Sequence, residues 1–197
     1  MKIIGLTGPS GSGKSTVAEF AEGLGIVRVD CDKVARSVTE KGSELLPLLA
    51  ESFGDDILIN GELDRKLLAK RAFVNTASTD KLNSIMLPFI AERINERIDN
   101  FKADGVEYLI LDAPTLYESG LDSICDCVIA VLCPVEIRRN RIIARDGLTV
   151  EEADVRLKAS KSDDFYRERT EHIIFNSGDI DEFFEKIKYV FGEILKQ

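Results

Sequence analysis

Five short apolar segments alternate along the chain with longer segments that have helical patterns of hydrophobic residues. Three of the five are continuously apolar, as expected of strands that are buried on both faces. Alternation of strands with helices favours a parallel sheet that is covered by helices on both sides. The sequence therefore predicts an α/β fold with a five-stranded parallel sheet. The predicted strands are residues 2 to 7, 26 to 30, 107 to 112, 127 to 132 and 172 to 176.

About 75 residues separate the second and third predicted strands, which is far more than one crossover helix requires. This insertion is expected to contain several helices and a turn, because capping and turn residues recur within it. A proline within the last helical pattern is expected to interrupt that helix. The residues concerned are Ser43, Asp64 and Thr79 or Asp80 as helix starts, Asn60-Gly61 as the turn and Pro88 as the interruption.

A second, smaller insertion follows the fourth predicted strand. Within it, Thr149 and Glu152 have the spacing of a capping box that begins a helix. An amphipathic helix from about residue 181 to 195 closes the chain.

The segment after the first predicted strand matches the P-loop pattern G-x-x-x-x-G-K-[ST] in full, with Lys14 and Ser15 as its last two residues. A strand before it and a helix after it are the context that this motif needs. Glycines let backbone N–H groups point at phosphate oxygens, and the helix dipole adds positive charge. Lys14 is expected to reach the β and γ phosphates, and the Ser15 hydroxyl to bind Mg²⁺. The expected nucleotide contacts in the loop are Gly11, Ser12, Gly13, Lys14, Ser15 and Thr16. A glycine-rich turn without a ligand is the alternative.

Three carboxylates follow the second and third strands, at the edge of a parallel sheet where ligands bind. Asp30 and Asp32 leave the second strand, and Asp112 ends the third. Acids beside a phosphate site repel the phosphate unless a metal ion or a proton transfer uses them. Asp32 is a candidate base for a substrate hydroxyl, and Asp112 a candidate group near Mg²⁺ or the acceptor. Spacing alone equally allows Asp32 to be the cap of a helix over 33 to 39.

Arg138, Arg141 and Arg145 are spaced to lie on one helix face, and none has an acid three or four positions away. Guanidinium groups are suited to binding phosphate oxygens in pairs. These arginines therefore predict a lid over ATP, in which Arg141 and Arg145 neutralise the phosphoryl group during transfer. A solvated basic face is the alternative.

Composition excludes several classes of protein. Lys and Arg total 26 against 35 for Asp and Glu, a net charge of −9 that opposes broad binding to nucleic acid. No apolar run is long enough to span a bilayer, and nothing at the start resembles a signal peptide, so a cytoplasmic location is expected. His172 is the only histidine, which excludes a multi-histidine metal site.

The GTPase pattern N-K-x-D is absent, and Asp112 is followed by Ala113-Pro114 and not by the acid of a transport ATPase. A small-molecule kinase is the class that remains favoured.

The chain resembles the dephospho-CoA kinase family over nearly its whole length. The D-x-D block followed by V-A-R and the D-x-P-x-L-Y-E block are more specific than the P-loop, which many families share. Five positions differ from the usual residues of the family, namely Pro9, Ser10, Leu87, Thr115 and Lys161. The blocks that carry the resemblance are Gly5 to Ser15, Val29 to Arg36, Gly61 to Leu68, Asp112 to Leu121 and Arg141 to Thr149.

The resemblance implies phosphorylation of the ribose 3′-hydroxyl of dephospho-CoA by ATP with Mg²⁺, giving CoA and ADP. It favours Asp32 as the catalytic base and places Asn176 on the adenine side of the nucleotide. It further implies a single P-loop kinase domain with three parts. These are a core (1–32, 107–137 and 170–197), a helical CoA-binding insertion (33–106) and a lid (138–169).

Two other functions remain open at this point. A nucleoside or nucleoside-monophosphate kinase would share the core and the lid but hold a different acceptor. A nucleotide-binding regulator would bind ATP at the same loop without transferring phosphate.

Overall fold

Five strands form the central sheet of the computed structural model, which describes residues 1–196. Their order is β2-β5-β1-β6-β7, with parallel pairing of β1 to β5, β1 to β6 and β6 to β7. Two further strands, β3 and β4, form an antiparallel hairpin. The predicted five-stranded parallel sheet is confirmed. The strands are β1 (Lys2–Thr7), β2 (Val27–Asp30), β3 (Leu58–Ile59), β4 (Glu62–Leu63), β5 (Tyr108–Asp112), β6 (Cys127–Leu132) and β7 (His172–Phe175).

Helices account for most of the remaining chain. Two 3₁₀ turns, Asp55–Ile57 and Leu121–Ile124, lie between them. Among residues 1–196, no helix is both long and apolar enough to cross a bilayer. The helices are α1 (Lys14–Gly23), α2 (Cys31–Ser37), α3 (Leu45–Phe53), α4 (Arg65–Ala72), α5 (Thr76–Ala103), α6 (Val135–Asp146), α7 (Val150–Lys158), α8 (Asp163–Arg167) and α9 (Ile180–Leu195).

The main core lies between the sheet and helices α1 and α9. Ile4 and Leu6 of β1 are fully buried there, together with Val17 of α1 and the rings of Phe183 and Phe191 of α9. Continuous burial of β1 explains why its sequence is apolar without alternation. Because β1 is the central strand, its carboxyl end and the loop that follows lie where the strand order reverses, which is where ligands bind in open α/β sheets.

The chain divides into two compact units. One comprises Met1–Val29 together with the chain from Val106 onwards, and the other comprises Asp30–Gly105. The second unit contains α2 to α5 and the β3–β4 hairpin, and it has its own hydrophobic core. Buried residues of that core are Val38, Leu45, Leu49, Ala50, Ile57, Leu68, Ala72 and Leu82.

Three local predictions are confirmed. Asp64 caps α4, because its carboxylate accepts hydrogen bonds from the first-turn N–H groups. Asn60 and Gly61 form the hairpin turn with φ of 53° and 78°. Thr149 and Glu152 form the predicted capping box at the start of α7.

Three other local predictions are wrong or displaced. Helix α5 begins after Asn75, not at Thr79 or Asp80, and it runs through Pro88 without interruption. Apolar residues on both sides of Pro88 pack against the core of this unit, which offsets the loss of one helical hydrogen bond. Ser43 lies one residue before the cap position of α3, although its hydroxyl still accepts from the N–H of Leu45.

Candidate active site

The loop between β1 and α1 is bent by glycines in left-handed conformations. Gly8, Gly11 and Gly13 have φ of 143°, 80° and 104°, which residues with a Cβ rarely adopt. A Cβ on Gly8 would lie 2.4 Å from the carbonyl oxygen of Val131 in β6. A Cβ on Gly11 would lie 2.9 Å from the carbonyl oxygen of Arg138 in α6. The loop therefore lies against two neighbouring backbones at distances that only glycine permits.

Helix α1 begins at Lys14 with an amino end that side chains leave open. The N-cap is Gly13, which has no side chain to bind the first-turn N–H groups, and the first turn carries no acid. Ser15 is exposed and Thr16 is half-buried in that turn. Open N–H groups and the positive end of the helix dipole make such a terminus suitable for an anion. Loop and helix start together form a cradle that fits the phosphates of a nucleotide.

The ammonium group of Lys14 pairs with the buried carboxylate of Asp112, at the end of β5. The second carboxylate oxygen, Oδ2, accepts from Nε of Arg28 in β2 at 3.1 Å and from Nη2 at 2.5 Å. Asp112 is only 3% exposed, and a carboxylate buried to that extent requires positive partners. One acid thus links the P-loop lysine to an arginine that sequence reasoning did not single out. The available sign of this arginine in the sequence was its position between two valines of a predicted strand.

Ser15 and Asp112 are the residues expected to bind Mg²⁺. The Ser15 side chain is exposed at the start of α1. Both oxygens of Asp112 bind cationic side chains in this structure, so its expected role near Mg²⁺ stays a prediction. Residues 1–196 contain no group of three His, Cys, Asp or Glu side chains that could hold a metal by themselves. Mg²⁺ typically takes one or two protein ligands and completes its shell with phosphates and water, so the hydroxyl at this loop fits a magnesium nucleotide.

Arg141 and Asn176 both bind the backbone of the P-loop. Nη1 of Arg141 donates to the carbonyl oxygens of Gly11 at 3.2 Å and of Ser12 at 3.4 Å. Nδ2 of Asn176 donates to the Ser12 carbonyl oxygen at 2.9 Å, and its Oδ1 accepts from Nη2 of Arg141 at 3.5 Å. Both side chains therefore support the loop. Contact of Arg141 with a transferring phosphoryl group, and of Asn176 with adenine, stays a prediction.

Arg145 has an acidic partner that its helical spacing did not predict. Its Nε and Nη2 bind the two carboxylate oxygens of Asp146 at 2.7 and 2.9 Å, and Asp146 also pairs with Arg156 of α7. The expectation of an unpaired guanidinium is wrong here, because Asp146 is the last residue of α6 before left-handed Gly147 and its side chain lies within reach. The hydrogen bond to Asp146 raises the pKa of Arg145, and the same bond lowers the pKa of Asp146. Nη2 of Arg145 also lies 3.4 Å from Oγ of Ser10.

Arg138 is the buried member of the arginine series. It is 4% exposed, and within residues 1–196 its Nε and Nη1 have no hydrogen-bond partner. The hydroxyl of Ser12 in the P-loop is also buried without a partner in the described chain. Buried polar groups without partners are costly, and a guanidinium is shaped to bind phosphate oxygens. Of the three arginines in the predicted lid, Arg138 therefore has the geometry that best fits an anion.

Asp32 lies in the other unit, in the first turn of α2, where its side chain is exposed. The cap of this helix is Asp30, whose Oδ1 accepts from the N–H of Lys33 at 3.0 Å. The alternative in which Asp32 caps the helix is wrong, because the helix begins at Cys31, earlier than that alternative assumed. An acid in the first turn is favoured by the helix dipole.

The fold and the phosphate cradle define this chain as a P-loop kinase. A shikimate kinase from Bacteroides thetaiotaomicron has the same fold, with a TM-score of 0.55 and 16% identity over 100% of this chain and 99% of that chain. More particularly, the chain belongs to the dephospho-CoA kinase family, whose sequence model matches residues 2–182. It is therefore an enzyme.

Similar proteins cover nearly the full length of the chain. A dephospho-CoA kinase of Corynebacterium diphtheriae is 43% identical over 92% of this chain and 91% of its own length. One from Bacillus licheniformis is 37% identical over 90% of this chain and 89% of its own. Among solved structures, a dephospho-CoA kinase from Campylobacter jejuni is 26% identical, with a TM-score of 0.73 over 100% of this chain and 98% of that chain.

Proposed function

We propose that this enzyme transfers the γ-phosphoryl group of ATP to the ribose 3′-hydroxyl of dephospho-CoA, giving CoA and ADP. In this step the hydroxyl oxygen bonds to the γ-phosphorus, the bond from that phosphorus to the bridging oxygen breaks, and ADP leaves. The observation that carries the proposal is the open amino end of α1, with Lys14 at its first position, in a chain of this family. Such a cradle holds a triphosphate and leaves the terminal phosphoryl group accessible to an acceptor.

The nucleotide is proposed to bind through the loop backbone and the basic groups around it. N–H groups of Gly11 and Gly13 are proposed to bind the phosphates, and Lys14 the terminal ones, while the Ser12 N–H donates to the Pro9 carbonyl oxygen at 3.2 Å and holds the loop. Nε and Nη1 of Arg138 have no hydrogen-bond partner within residues 1–196, which supports the assignment of Arg138 to a phosphate oxygen. Arg141 and Asn176 keep the loop in shape, since both bind its carbonyl oxygens.

Magnesium is proposed to be held by the Ser15 hydroxyl, with Asp112 available after Lys14 has moved to the phosphates. When bound, the ion offsets negative charge on the β and γ phosphates. Ser15 thereby orients the magnesium nucleotide from the first turn of α1.

Asp32 is proposed to accept the proton of the 3′-hydroxyl during attack. General-base assistance of this kind typically contributes about 10²- to 10⁴-fold. Its exposed position supports this role, because a carboxylate that acts on a substrate must be accessible to it. Residues 33–106 are proposed to bind the dephospho-CoA acceptor.

Residues 138–169 are proposed to act as a lid over ATP. In this role Arg141 and Arg145 neutralise charge on the phosphoryl group, and closure excludes water so that the acceptor is phosphorylated in preference to hydrolysis. We further propose that the enzyme is cytoplasmic, acts on a small molecule and binds no nucleic acid. The net charge of −9 supports the last of these, because it opposes binding to phosphate backbones.

Mass spectrometry of the product tests the function. The protein is incubated with Mg-ATP and dephospho-CoA, and in parallel with uridine and with nucleoside monophosphates. We expect a mass gain of one phosphate on dephospho-CoA at a rate far above that on the other acceptors. Faster transfer to a nucleoside or nucleotide would replace the proposed acceptor, and binding of ATP without transfer to any acceptor would indicate a regulator.

A further inference from the structure

The carboxylate of Asp112 is shared between two cations that come from different elements. Lys14, at the start of α1, binds Oδ1, while Arg28, within β2, places two nitrogens on Oδ2. The side chains of Lys14 and Arg28 are 17% and 19% exposed, so this charge cluster is largely shielded from water. Interactions between charges are strong in such surroundings.

The two roles of Lys14 compete with each other. Its ammonium group binds the carboxylate in this structure, and nucleotide binding requires the same group at the terminal phosphates. When Lys14 moves to the phosphates, the Asp112 carboxylate remains buried. A buried anion without a positive partner is strongly unfavourable. The free-energy cost of moving Lys14 to the phosphates therefore depends on which cation remains beside Asp112.

We propose that Arg28 is a positioning residue that keeps Asp112 neutralised while Lys14 moves from this carboxylate to the nucleotide phosphates. The inference rests on the proposed binding of ATP at the loop. A guanidinium is suited to this role because it stays charged at all accessible pH values. Arg28 also binds Oδ2 of Asp112 through two nitrogens, whereas Lys14 binds Oδ1, so the two contacts are independent. Arg28 thereby weakens the hold of Asp112 on Lys14 without contact with the nucleotide.

Removal of Arg28 should therefore weaken nucleotide binding through Asp112. With Arg28→Met, Lys14 becomes the principal positive partner of the carboxylate and is held more tightly. With Asp112→Asn, no charge is left behind when Lys14 moves, and the presence of Arg28 should then matter little. In a double-mutant cycle on the affinity for ATP, the effects of substitutions at positions 28 and 112 should therefore not add.

A purely structural role for Arg28 predicts a different pattern. Arg28 also lies near Glu22 of α1, with Nη1 and Oε2 3.6 Å apart, and this contact alone could join α1 to β2. In that case the loss of Arg28 would affect affinity equally whether residue 112 is Asp or Asn. Glu22→Gln removes the contact and leaves the bonds between Arg28 and Asp112 in place, so it is the matched control.

Isothermal calorimetry with ATP in EDTA tests the inference, since removal of magnesium excludes effects of Asp112 on the metal. We expect Arg28→Met to raise the Kd about tenfold, within the range typical of coupled sites. Asp112→Asn should bind Mg-free ATP at least as tightly as the parent protein, and the double variant should match Asp112→Asn. Arg28→Lys should recover most of the affinity, and Glu22→Gln should leave it unchanged.

An unchanged Kd for Arg28→Met would overturn the inference, as would a loss of affinity that is equal in the parent protein and in the Asp112→Asn variant. Circular dichroism confirms folding of each variant, and Arg28→Gln replaces Arg28→Met if the latter does not fold. Failure of the parent protein to bind ATP even after Mg²⁺ is added back would instead refute the proposed function, so the two failures are distinguishable.

Discussion

The side-chain amide of Asn176 donates a hydrogen bond to the backbone carbonyl oxygen of Ser12 at 2.9 Å, although 164 residues separate the two in sequence. Asn176 is 3% exposed, and its Oδ1 also accepts from the N–H of Gly178 at 3.1 Å. A residue expected beside adenine therefore fixes the shape of the phosphate loop. The residue that follows the last strand of the sheet thus supports the loop that follows the first.

Replacement of Asn176 by Ala should damage both stability and nucleotide binding. The variant leaves the buried carbonyl of Ser12 with its longer, 3.4 Å bond from Arg141, so the free energy of unfolding should fall by about 0.5 to 1.5 kcal/mol. Urea unfolding and ATP calorimetry measure the two effects. Asn95→Ala, at an exposed position of α5, is the control; it should leave ATP binding unchanged and should not lower the free energy of unfolding, since Ala favours a helix. Full ATP affinity in Asn176→Ala would contradict a supporting role for this side chain.

Substitution of Ala for Gly13 should abolish the phosphate cradle. Gly13 has φ of 104°, and a Cβ there would lie 2.6 Å from Nδ2 of Asn176. The hydrogen bond from Asn176 to the loop must then break, and we expect ATP binding to fall below detection in calorimetry. Gly192→Ala, within α9 and with open space around its Cβ position, should instead stabilise the protein by about 0.5 to 1 kcal/mol. Normal ATP binding by Gly13→Ala would contradict the described loop geometry.

Arg138→Met should separate anion binding from stability. Because Nε and Nη1 of Arg138 are buried without partners in the described chain, an apolar side chain of similar length should leave the free energy of unfolding unchanged or higher. The Kd for ATP should rise by roughly tenfold, as expected for loss of a coupled charged contact. Arg139→Met, which removes a partly exposed pair with Asp154, should cost less than about 1 kcal/mol and leave ATP binding intact.

The opposite pattern for Arg138→Met would refute its assignment to phosphate. That pattern is a clear loss of stability in urea unfolding together with an unchanged Kd for ATP.

Asp32→Asn should reduce turnover and leave ATP binding unchanged. The amide cannot accept the proton of the acceptor hydroxyl, so kcat should fall by about 10²- to 10⁴-fold. Steady-state kinetics with dephospho-CoA measure kcat, and calorimetry measures ATP affinity. Asp80→Asn, at an exposed position of α5 in the same unit, is the matched control and should retain full turnover. Retention of full kcat by Asp32→Asn would exclude it as the base.

Stability should decline at high pH through Tyr166. Burial raises the pKa of this phenol to about 12, from a usual value of about 10. Between these values the unfolded chain releases the proton while the folded protein retains it, so the free energy of unfolding decreases as pH rises from about 10 towards 12. Below pH 10 this contribution is fully present.

Urea unfolding of the parent protein and of Tyr166→Phe between about pH 9 and 11 checks this dependence. The decline should be shallower in Tyr166→Phe, since phenylalanine has no proton to release. Tyr189→Phe, at an exposed position of α9, should follow the parent curve. Parallel curves for Tyr166→Phe and the parent would show that burial does not perturb this phenol.

Sequence reasoning located the sheet and the phosphate loop because both have local signals. Continuous apolar segments marked strands such as β6, and the P-loop pattern fixed Lys14 between a strand and a helix. The caps at Asp64 and Thr149 depend on residues within three positions of one another, so they too were predictable.

Contacts between residues far apart in sequence explain why some ion-pair partners and helix boundaries were not predicted. The bonds from Arg28 to Asp112 and from Arg141 to the Ser12 carbonyl join segments that no spacing rule relates. Helix α5 shows a related effect, since packing of residues such as Met86 and Phe89 outweighs the local tendency of Pro88 to end a helix. Tertiary packing thus changed both the helix boundaries and the partners of the charged groups.

Support of the P-loop by Asn176 has a consequence for synthesis on the ribosome. Ser12 is synthesised 164 residues before Asn176, the residue whose side chain binds its carbonyl oxygen. A nascent chain that stops before β7 lacks this support, so ATP capture should begin only when the final strand and α9 have joined the sheet. Nucleotide binding would then report that the sheet has been completed.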